Sequence, residues 1–524
     1  MQRELELKFE IAARDAERLA RHPVLAWSPV SEQHQESLYF DTPKRKLRRA
    51  GYTIRVRRSG KGVTQTIKSQ GKSAGVFDRS EWEAPVRRMR PDFNAARLTP
   101  LADVLTERTE KRLQPLVRMD IERTTWAFDD GPSLIEVTAD YGVLKAGGAE
   151  QAINELEVEL KRGSESALFD LTEEIARHLP LRLNVRSKAD QAFALADGRL
   201  GRVRKAPRID LSAGMNIADG FAAIALSCLK HFRLNEPLLV DQHLPEALHQ
   251  ARVAMRRLRS AFNLFRPILG HDPEYERLRK LLRRFNRRLG SARNLDVFLE
   301  RLREDGPEPP QLLHLRDERY ARLIVALDSR RFLRMMLRIV RWLHIGDWRE
   351  RPEAKLPLEA FLDGRIDEQW AKLNLVGVHL ASLDDERLHR FRIEIKNFRY
   401  SLEFARSLHQ ENRACRKSFG AAIEELQDQL GLLNDMVIAR RIVRKHLDGV
   451  WPRPRTLEVE RDPLLAKAEN SFARLLEFGP YWQGPATALA AKPPAAAFAR
   501  RRGGSVRPAA SRRRAPRSGG SARG

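Results

Sequence analysis

Cysteine is nearly missing: Cys228 and Cys415 are the only two in 524 residues. Two thiols cannot build a disulfide framework or a structural zinc site, and both fall in helical-looking segments, so a reducing compartment fits. Long apolar runs are missing too. No stretch approaches the roughly 18–20 residues that a membrane span needs. The opening MQRELELKFE is charged from its third residue, unlike a signal peptide. The expectation is a cytoplasmic protein with no membrane partner. A phosphate loop of GxxxxGK(S/T) spacing is also lacking; Gly60, Gly62 and the GKSAG turn at 71–75 have neither that spacing nor a following helix and read as hairpin turns. What is abundant is positive charge. Lys and Arg number 96 against 70 Asp and Glu, a formal net charge of +26, which calls for an anionic partner without saying which anion. With 42% hydrophobic residues the chain can bury cores, so wholesale disorder is excluded, and its length suggests two to four domains.

The charge is unevenly placed. Residues 1–200 carry 34 basic and 31 acidic side chains, residues 201–491 carry 52 and 39, and residues 492–524 carry ten basic and no acidic ones. The first region alternates with period 2: in ELELKF, Glu4, Glu6 and Lys8 oppose Leu5, Leu7 and Phe9 across a strand. TIRVR, VTQTIK, SEWEAPV, LIEV and NELEVELK repeat the pattern, which predicts an antiparallel sheet or barrel with helices near 12–21, 100–112 and 165–178. From 215 to 480 the period becomes 3.6, predicting helices at 217–234, 244–268, 274–304, 310–344, 358–379, 385–409, 414–447 and 463–478. HQARVAMRRLR at 249–259 returns as HRFRIEIKNFR at 389–399, an offset of 140, which implies a pseudo-symmetric bundle. Trp342, Trp348 and Trp370 read as packing residues rather than base-stacking platforms.

On any single strand, alternating charge usually marks a solvated face. Here it recurs on at least five strands, with acids on some and bases on others, opposite consistently apolar positions. A closed sheet with a charged interior satisfies this, and such a lumen must hold charged ligands because unpaired buried charge is costly. Clustered Glu oxygens suit Mg²⁺ or Mn²⁺, and Arg and Lys suit phosphate oxygens. Both together suggest metal-assisted phosphoryl transfer.

ELELK, IRVRR at 54–58, TIK at 66–68, DRSEWE at 78–83, RTTW at 123–126, EVTADYG at 136–142, ELEVELKRG at 155–163 and SKADQAFAL at 187–195 occur in the order of the CYTH, or triphosphate tunnel metalloenzyme, superfamily, which residues 1–200 therefore resemble. The resemblance implies an eight-stranded antiparallel tunnel binding triphosphate with a divalent metal. It further implies Glu4, Glu6 and Lys8 as catalytic residues, Glu4, Glu6, Glu157 and Glu159 as metal ligands, and Arg55, Arg57, Lys68, Arg79, Arg118, Arg123 and Lys188, with Lys8, as phosphate contacts. Asp140 matches a recurrent acidic position of unassigned role. A water polarised by the metal would be the nucleophile. No part of the signature is missing, which favours an active enzyme over a degenerate binding module. Family members include adenylate cyclases and thiamine triphosphatases as well as inorganic triphosphatases.

In the helical region His249, Arg252, Arg256 and Arg259 fall within an arc of about 80°. A solvated face is the ordinary reading of such a stripe. From 247 to 271, however, there is no Asp or Glu to supply i,i+4 partners, and His389, Arg392, Lys396 and Arg399 nearly copy it. A metal role for the histidines is the rival reading, without clustered carboxylates or Cys to support it. HQARVAMRRLRSAF, LGSARNLDVFL, LHRFRIEIKNFRYSLE and LQDQLGLLNDMVIA make this region similar to the CHAD, conserved histidine α-helical, domain. That resemblance implies paired helical bundles binding inorganic polyphosphate through His249, Arg252, Arg256, Arg259, Arg293, His389, Arg392, Lys396 and Arg399, with Lys230, Arg283, Arg287 and Arg440 as further contacts. The second copy departs in having Lys396 for Arg and no counterpart of Arg293.

The expected architecture is thus an α+β multidomain chain: a tunnel domain with flanking helices at 1–200, a linker at 201–214, an all-α double bundle at 215–480 and a disordered basic tail at 481–524. The expected function is metal-dependent hydrolysis of inorganic triphosphate to pyrophosphate and phosphate, with polyphosphate binding by the second domain and association with polyphosphate granules. The rivals are a non-catalytic polyphosphate-binding scaffold and an enzyme for ATP or thiamine triphosphate. Nucleic acid is expected only as a non-specific partner of the tail.

Overall fold

The computed structural model describes residues 2–60, 62–69, 76–409, 413–447 and 461–483. The side chains of Glu4 and Arg79, the GKSAG turn at 71–75 and the tail from 484 onward lie outside the described residues.

Alternation in the first region produces strands β1 (Gln2–Glu10), β2 (Val30–Asp41), β3 (Tyr52–Ser59), β4 (Gly62–Ser69), β5 (Val76–Pro85), β6 (Gln114–Asp129), β7 (Leu134–Ala146), β8 (Ala149–Arg162) and the two-residue β9 (Arg182–Leu183). The sheet order is β5-β4-β3-β2-β6-β7-β8-β1-β9, and a further β1–β5 pairing closes eight of the nine into an antiparallel barrel. Closure removes the unpaired edges. On β7, Gly142 lets the strands meet closely: a Cβ there would lie 2.0 Å from the Asp120 carbonyl oxygen.

The apolar outer face, including Leu5, Leu7, Phe9, Ile135, Val137 and Val158, is buried under helix α1 (Glu165–His178), whose Leu168, Phe169 and Ile175 join the same core. Ser164 caps α1 by accepting from the Ala167 N–H. The next helix, α2 (Lys188–Ala196), begins in a capping box of Ser187 and Asp190. Its Ala192 and Phe193 pack against Tyr39, Val117, Met119, Ile121, Leu144 and Ile153, so one end of the barrel is filled with apolar side chains.

The helical region contains α3 (Ile217–Gln242), α4 (Pro245–Leu264), α5 (Pro273–Asp305), α6 (Pro310–Leu327), α7 (Arg330–Ile345), α8 (Leu358–Gly377), α9 (Asp385–Phe404), α10 (Arg413–His446) and α11 (Arg461–Phe478). The expected single helix at 310–344 is two, because the Ser329 side chain accepts from the Phe332 N–H and restarts the chain. The repeat is visible in the boundaries: α4 and α9 start at 245 and 385 and end at 264 and 404. These two helices pack on each other where the halves meet. Trp342, Trp348 and Trp370 are buried in aromatic clusters, as the packing reading expected. Residues 481–483, placed in the disordered tail by sequence, instead form a 3-10 turn whose Trp482 is buried and donates to Asp367 at 2.8 Å. Among the described residues no helix is long and apolar enough to cross a membrane.

The two regions are joined firmly. One continuous core runs from the outside of the barrel into the bundle. Across the join, Arg341 on α7 donates to Asp170 at 2.5 Å and Ser166 at 2.9 Å, and Arg233 on α3 donates to the Leu183 carbonyl at 2.7 Å. The segment 201–214 has no regular secondary structure, yet it is pinned; Ser407 both donates to the Leu211 carbonyl (2.9 Å) and accepts from its N–H (2.8 Å).

Candidate active site and basic groove

Period 2 and closure together send one set of side chains into the lumen. Glu6 and Lys8 of β1, Arg55 and Arg57 of β3, Lys68 of β4, Arg123 of β6, Glu157 and Glu159 of β8 and Lys188 of α2 line one cavity of about 1200 Å³. Nine of the expected tunnel residues are therefore gathered in one place. Glu4 and Arg79 face each other across the β1–β5 register, and their side chains lie outside the described residues. Arg118 is a correction. Its parity on β6 is opposite to that of Arg123, so it sits on the outer surface, 55% exposed, with Asp120 at 2.9 Å and Glu36 at 3.4 Å.

The wall is sorted by charge. Asp140 of β7 is fully buried and accepts from Arg123 at 2.7 and 2.6 Å; Lys188 lies 2.6 Å from it. Burial alone would raise this carboxyl, but Lys188 and Arg123 outweigh burial and hold it far below the ordinary carboxylate range. Lys188 also donates to Glu155 at 2.5 Å and Glu157 at 2.8 Å, and Glu155 is fixed in turn by Asn184 at 2.8 Å. Glu157 contacts Lys8 and lies 3.3 Å from Arg123. Its neighbours are thus ammonium and guanidinium groups, which orient the basic wall. Glu155 and Asn184 were absent from the expected site, and Asp140 matched a family position with no role assigned to it. The signal for Glu155 was present in its parity with Glu157 and Glu159.

On the opposite side no carboxylate among the described residues lies in ion-pair range of Arg55 or Arg57, although Asp140 still favours the charged Arg57 at longer range. Among the described residues the buried Nε atoms of both make no hydrogen bond, and Arg55 donates to the Thr66 hydroxyl at 3.2 Å. Burial, then Arg55 and Arg123, push the Arg57 guanidinium well below its ordinary value. Half-buried cations of this kind are tolerable when an anion completes them.

The third component is acidic. In the strand register Glu6 is opposite Glu159, and Glu159 is opposite Glu136. Lys161 bridges Glu136 at 3.1 Å and Glu159 at 2.8 Å, and Lys8 lies 2.8 Å from Glu6. Burial lowers Lys161, but Glu159 and Glu136 overcome it and raise the ammonium above its usual value. Among the described residues no three carboxylate, imidazole or thiol groups converge closely enough to hold a metal as they stand. The donor chemistry nevertheless fits a hard divalent cation: the oxygens are carboxylates on neighbouring strands, and an ammonium already bridges two of them. Glu136 is an addition to the expected set.

The second site is built from α4, α5 and α9. Arg252 and Arg256 of α4 and Arg392 and Lys396 of α9 lie near enough to repel one another across the helix pair. Burial, then Arg256, Arg392 and Arg293, lower Arg252 to about 10; burial, then Arg256, Arg392 and Arg252, push Lys396 down to about 6. Gly290 of α5 makes room for this crowding, since a Cβ there would lie 2.3 Å from Arg252 Nη1. His249 and Arg293 flank the cluster, while Arg259 faces Arg283 and Arg279. His389 is exposed, its Nδ1 2.6 Å from Asn434 Oδ1, and Arg399 lies 3.9 Å from Glu424. Sequence reasoning missed Tyr400, which accepts from Arg256 Nε at 2.9 Å and carries the guanidiniums of Arg256 and Arg399 over its ring at 5.7 and 5.0 Å.

Family models match both regions. Residues 2–193 match the CYTH domain and residues 223–444 the CHAD domain. A CYTH domain is followed here by a CHAD domain. The CYTH-bearing part is similar to an inorganic triphosphatase of Haemophilus influenzae, 31% identical over 202 residues. That match takes in 37% of this chain and 55% of the relative, so the chain spans about half the length of the curated protein it matches. Among solved structures, the CHAD domain of the plant Ricinus communis is 28% identical, covering 52% of this chain and 96% of that one with a TM-score of 0.43. A putative adenylyl cyclase from Hippeastrum, described as having a dominant triphosphatase activity, is 17% identical, covering 38% and 97% with a TM-score of 0.30.

Proposed function

We propose that the CYTH tunnel hydrolyses inorganic triphosphate to pyrophosphate and phosphate with Mg²⁺ or Mn²⁺, and that the CHAD domain binds inorganic polyphosphate, holding the enzyme on polyphosphate granules in the cytoplasm. The observation that carries this reading is the sorted wall: half-buried Arg55 and Arg57, without an ion-pair partner among the described residues, share one cavity with an acidic strip of Glu6, Glu136 and Glu159. The name of the Haemophilus relative supports the same substrate. Arg55, Arg57, Arg123 and Lys68 bind and orient the phosphate oxygens, and their fixed positions cost no rearrangement as charge moves along the chain. Asp140, Glu155 and Glu157 hold Arg123, Lys8 and Lys188 in place. A divalent cation held by Glu4, Glu6 and Glu159, with Glu136 beside them, would supply positive charge to the departing phosphate. The ammonium of Lys161 would leave those carboxylates as the cation enters.

The decisive assay measures phosphate release from triphosphate, ATP and thiamine triphosphate by the full chain with Mg²⁺. Triphosphate should be the best substrate, and Glu6→Gln should reduce turnover by about 10²–10³-fold, the scale of losing one electrostatic element of an active site. Equal release by wild type and Glu6→Gln would overturn the catalytic reading and leave a polyphosphate-binding scaffold.

A further inference from the structure

The cavity does not end with the barrel. Its lining continues onto the connecting segment and α3, where Arg48, Arg186, Arg204, Lys205, Arg208 and Lys230 border the same space as Lys68 and Arg123. Along this stretch the acids among the described lining residues are Asp190 and Asp210. Asp190 is already committed to the capping box of α2 and to Arg48 at 2.9 Å. The cations therefore outnumber their partners. Burial and then Arg204 lower Arg186, while burial and then Arg199, Arg48 and Arg202 lower Arg204.

This surface is built rather than incidental. The Arg204 N–H donates to Asn235 Oδ1 at 2.9 Å, and its carbonyl accepts from Asn235 Nδ2 at 2.9 Å and lies 2.9 Å from His231 Nε2. Asn235 and His231 are both fully buried on α3. Burial holds His231 at about 4, so it contributes a fixed neutral ring and no charge. A segment without regular structure is thus clamped by two buried polar side chains, and its Arg204, which also donates to the Arg199 carbonyl at 2.9 Å, and Arg208 line the cavity.

We propose that this interdomain vestibule is a second condensed-phosphate site, taking the phosphates of a chain longer than three that extends out of the tunnel. The proposal rests on the tunnel being the triphosphate site. A linear anion without side groups is the ligand that can run continuously through both spaces, and guanidinium forks suit its oxygens.

The test is equilibrium binding of inorganic triphosphate and linear pentaphosphate to the full chain, without metal to prevent turnover. The background carries Arg252→Gln and Arg392→Gln, so that the helical groove contributes little. Pentaphosphate should bind at least about tenfold more tightly than triphosphate; Arg204→Gln with Arg208→Gln should remove about that factor and leave triphosphate within about twofold. Should the pair prevent folding, Arg208→Gln alone, on an exposed side chain, carries the same test. Equal affinity for the two anions, or equal weakening of both by the variant, overturns the vestibule. If triphosphate does not bind at all, the tunnel reading fails separately. A pentaphosphate signal lost in the variant would then still support the vestibule, and its absence would overturn it.

Discussion

The tunnel and the helical groove both collect cations with little access to water, but they do so on opposite terms. In the tunnel Arg123, Lys8 and Lys188 are matched by Asp140, Glu155 and Glu157, while Arg55 and Arg57 have no ion-pair partner among the described residues. In the groove Arg252, Arg256, Arg392 and Lys396 face each other, with Asp435 as the opposing acid. A matched network keeps its geometry before the ligand arrives, as chemistry requires. An unmatched one stores repulsion that any polyanion relieves, which suits binding without chemistry. Removing a charge should therefore have opposite effects on stability in the two places.

The largest effect is expected in the tunnel. Asp140→Asn leaves Arg123 and Lys188 buried without their main carboxylate, and losing one partner of such a network costs about 3–5 kcal/mol. Because the Asp140 carboxyl lies below its unfolded value, its contribution is present throughout neutral pH and is lost only as strong acid protonates it. Denaturant unfolding at pH 7 should show the loss in full for Asp140→Asn. A variant as stable as wild type would show that the network is not the matched structure described.

The groove should behave the other way. Arg252→Gln removes a cation whose neighbours are Arg256, Arg392 and Arg293, so the free protein should gain about 1 kcal/mol. Polyphosphate affinity should fall about tenfold, the scale of one charge-assisted contact. The slope of affinity against salt should become shallower, by the counterion logic that governs polyanion binding. A loss of stability together with unchanged affinity would erase the contrast between the sites.

Much of this contrast is legible in the sequence, and the failures have physical reasons. Alternation in ELELKF and NELEVELK identifies the inward faces because a strand has only two sides. The same rule, applied strictly, rejects Arg118: it cannot share a face with Arg123, five residues along β6. The stripe at 249–259 is readable because acids are missing around it. The role of Asp140 was not, because one acid in TADYG says nothing of Arg123 and Lys188 until β6, β7 and α2 are assembled. Nor were the vestibule arginines. In GRVRKAPR they look like linker charge, and it is Asn235 and His231, packed from α3, that fix the Arg204 backbone. Tyr400 was hidden for a related reason, since its partner Arg256 is 144 residues away.

The smallest predicted effect is also the one that most directly reads out stored repulsion. Lys396 sits at about 6 because it is buried and surrounded by Arg256, Arg392 and Arg252, with Asp435 opposing them only in part. Its folded value is below the unfolded one, so between roughly pH 6 and 10 the ligand-free fold gains stability from this group as pH rises. A bound polyphosphate reverses the local field and restores the proton. Binding measured calorimetrically at pH 9, in two buffers of different ionisation enthalpy, should therefore show uptake of up to about one proton. His249, itself lowered by burial and Arg293, carries no proton at that pH and does not contribute before the anion arrives. Lys396→Met should abolish most of the uptake while keeping the bulk of the affinity, because the three arginines remain. Uptake that persists in Lys396→Met would place the titrating group elsewhere and break the link between crowding in the groove and its response to polyanions.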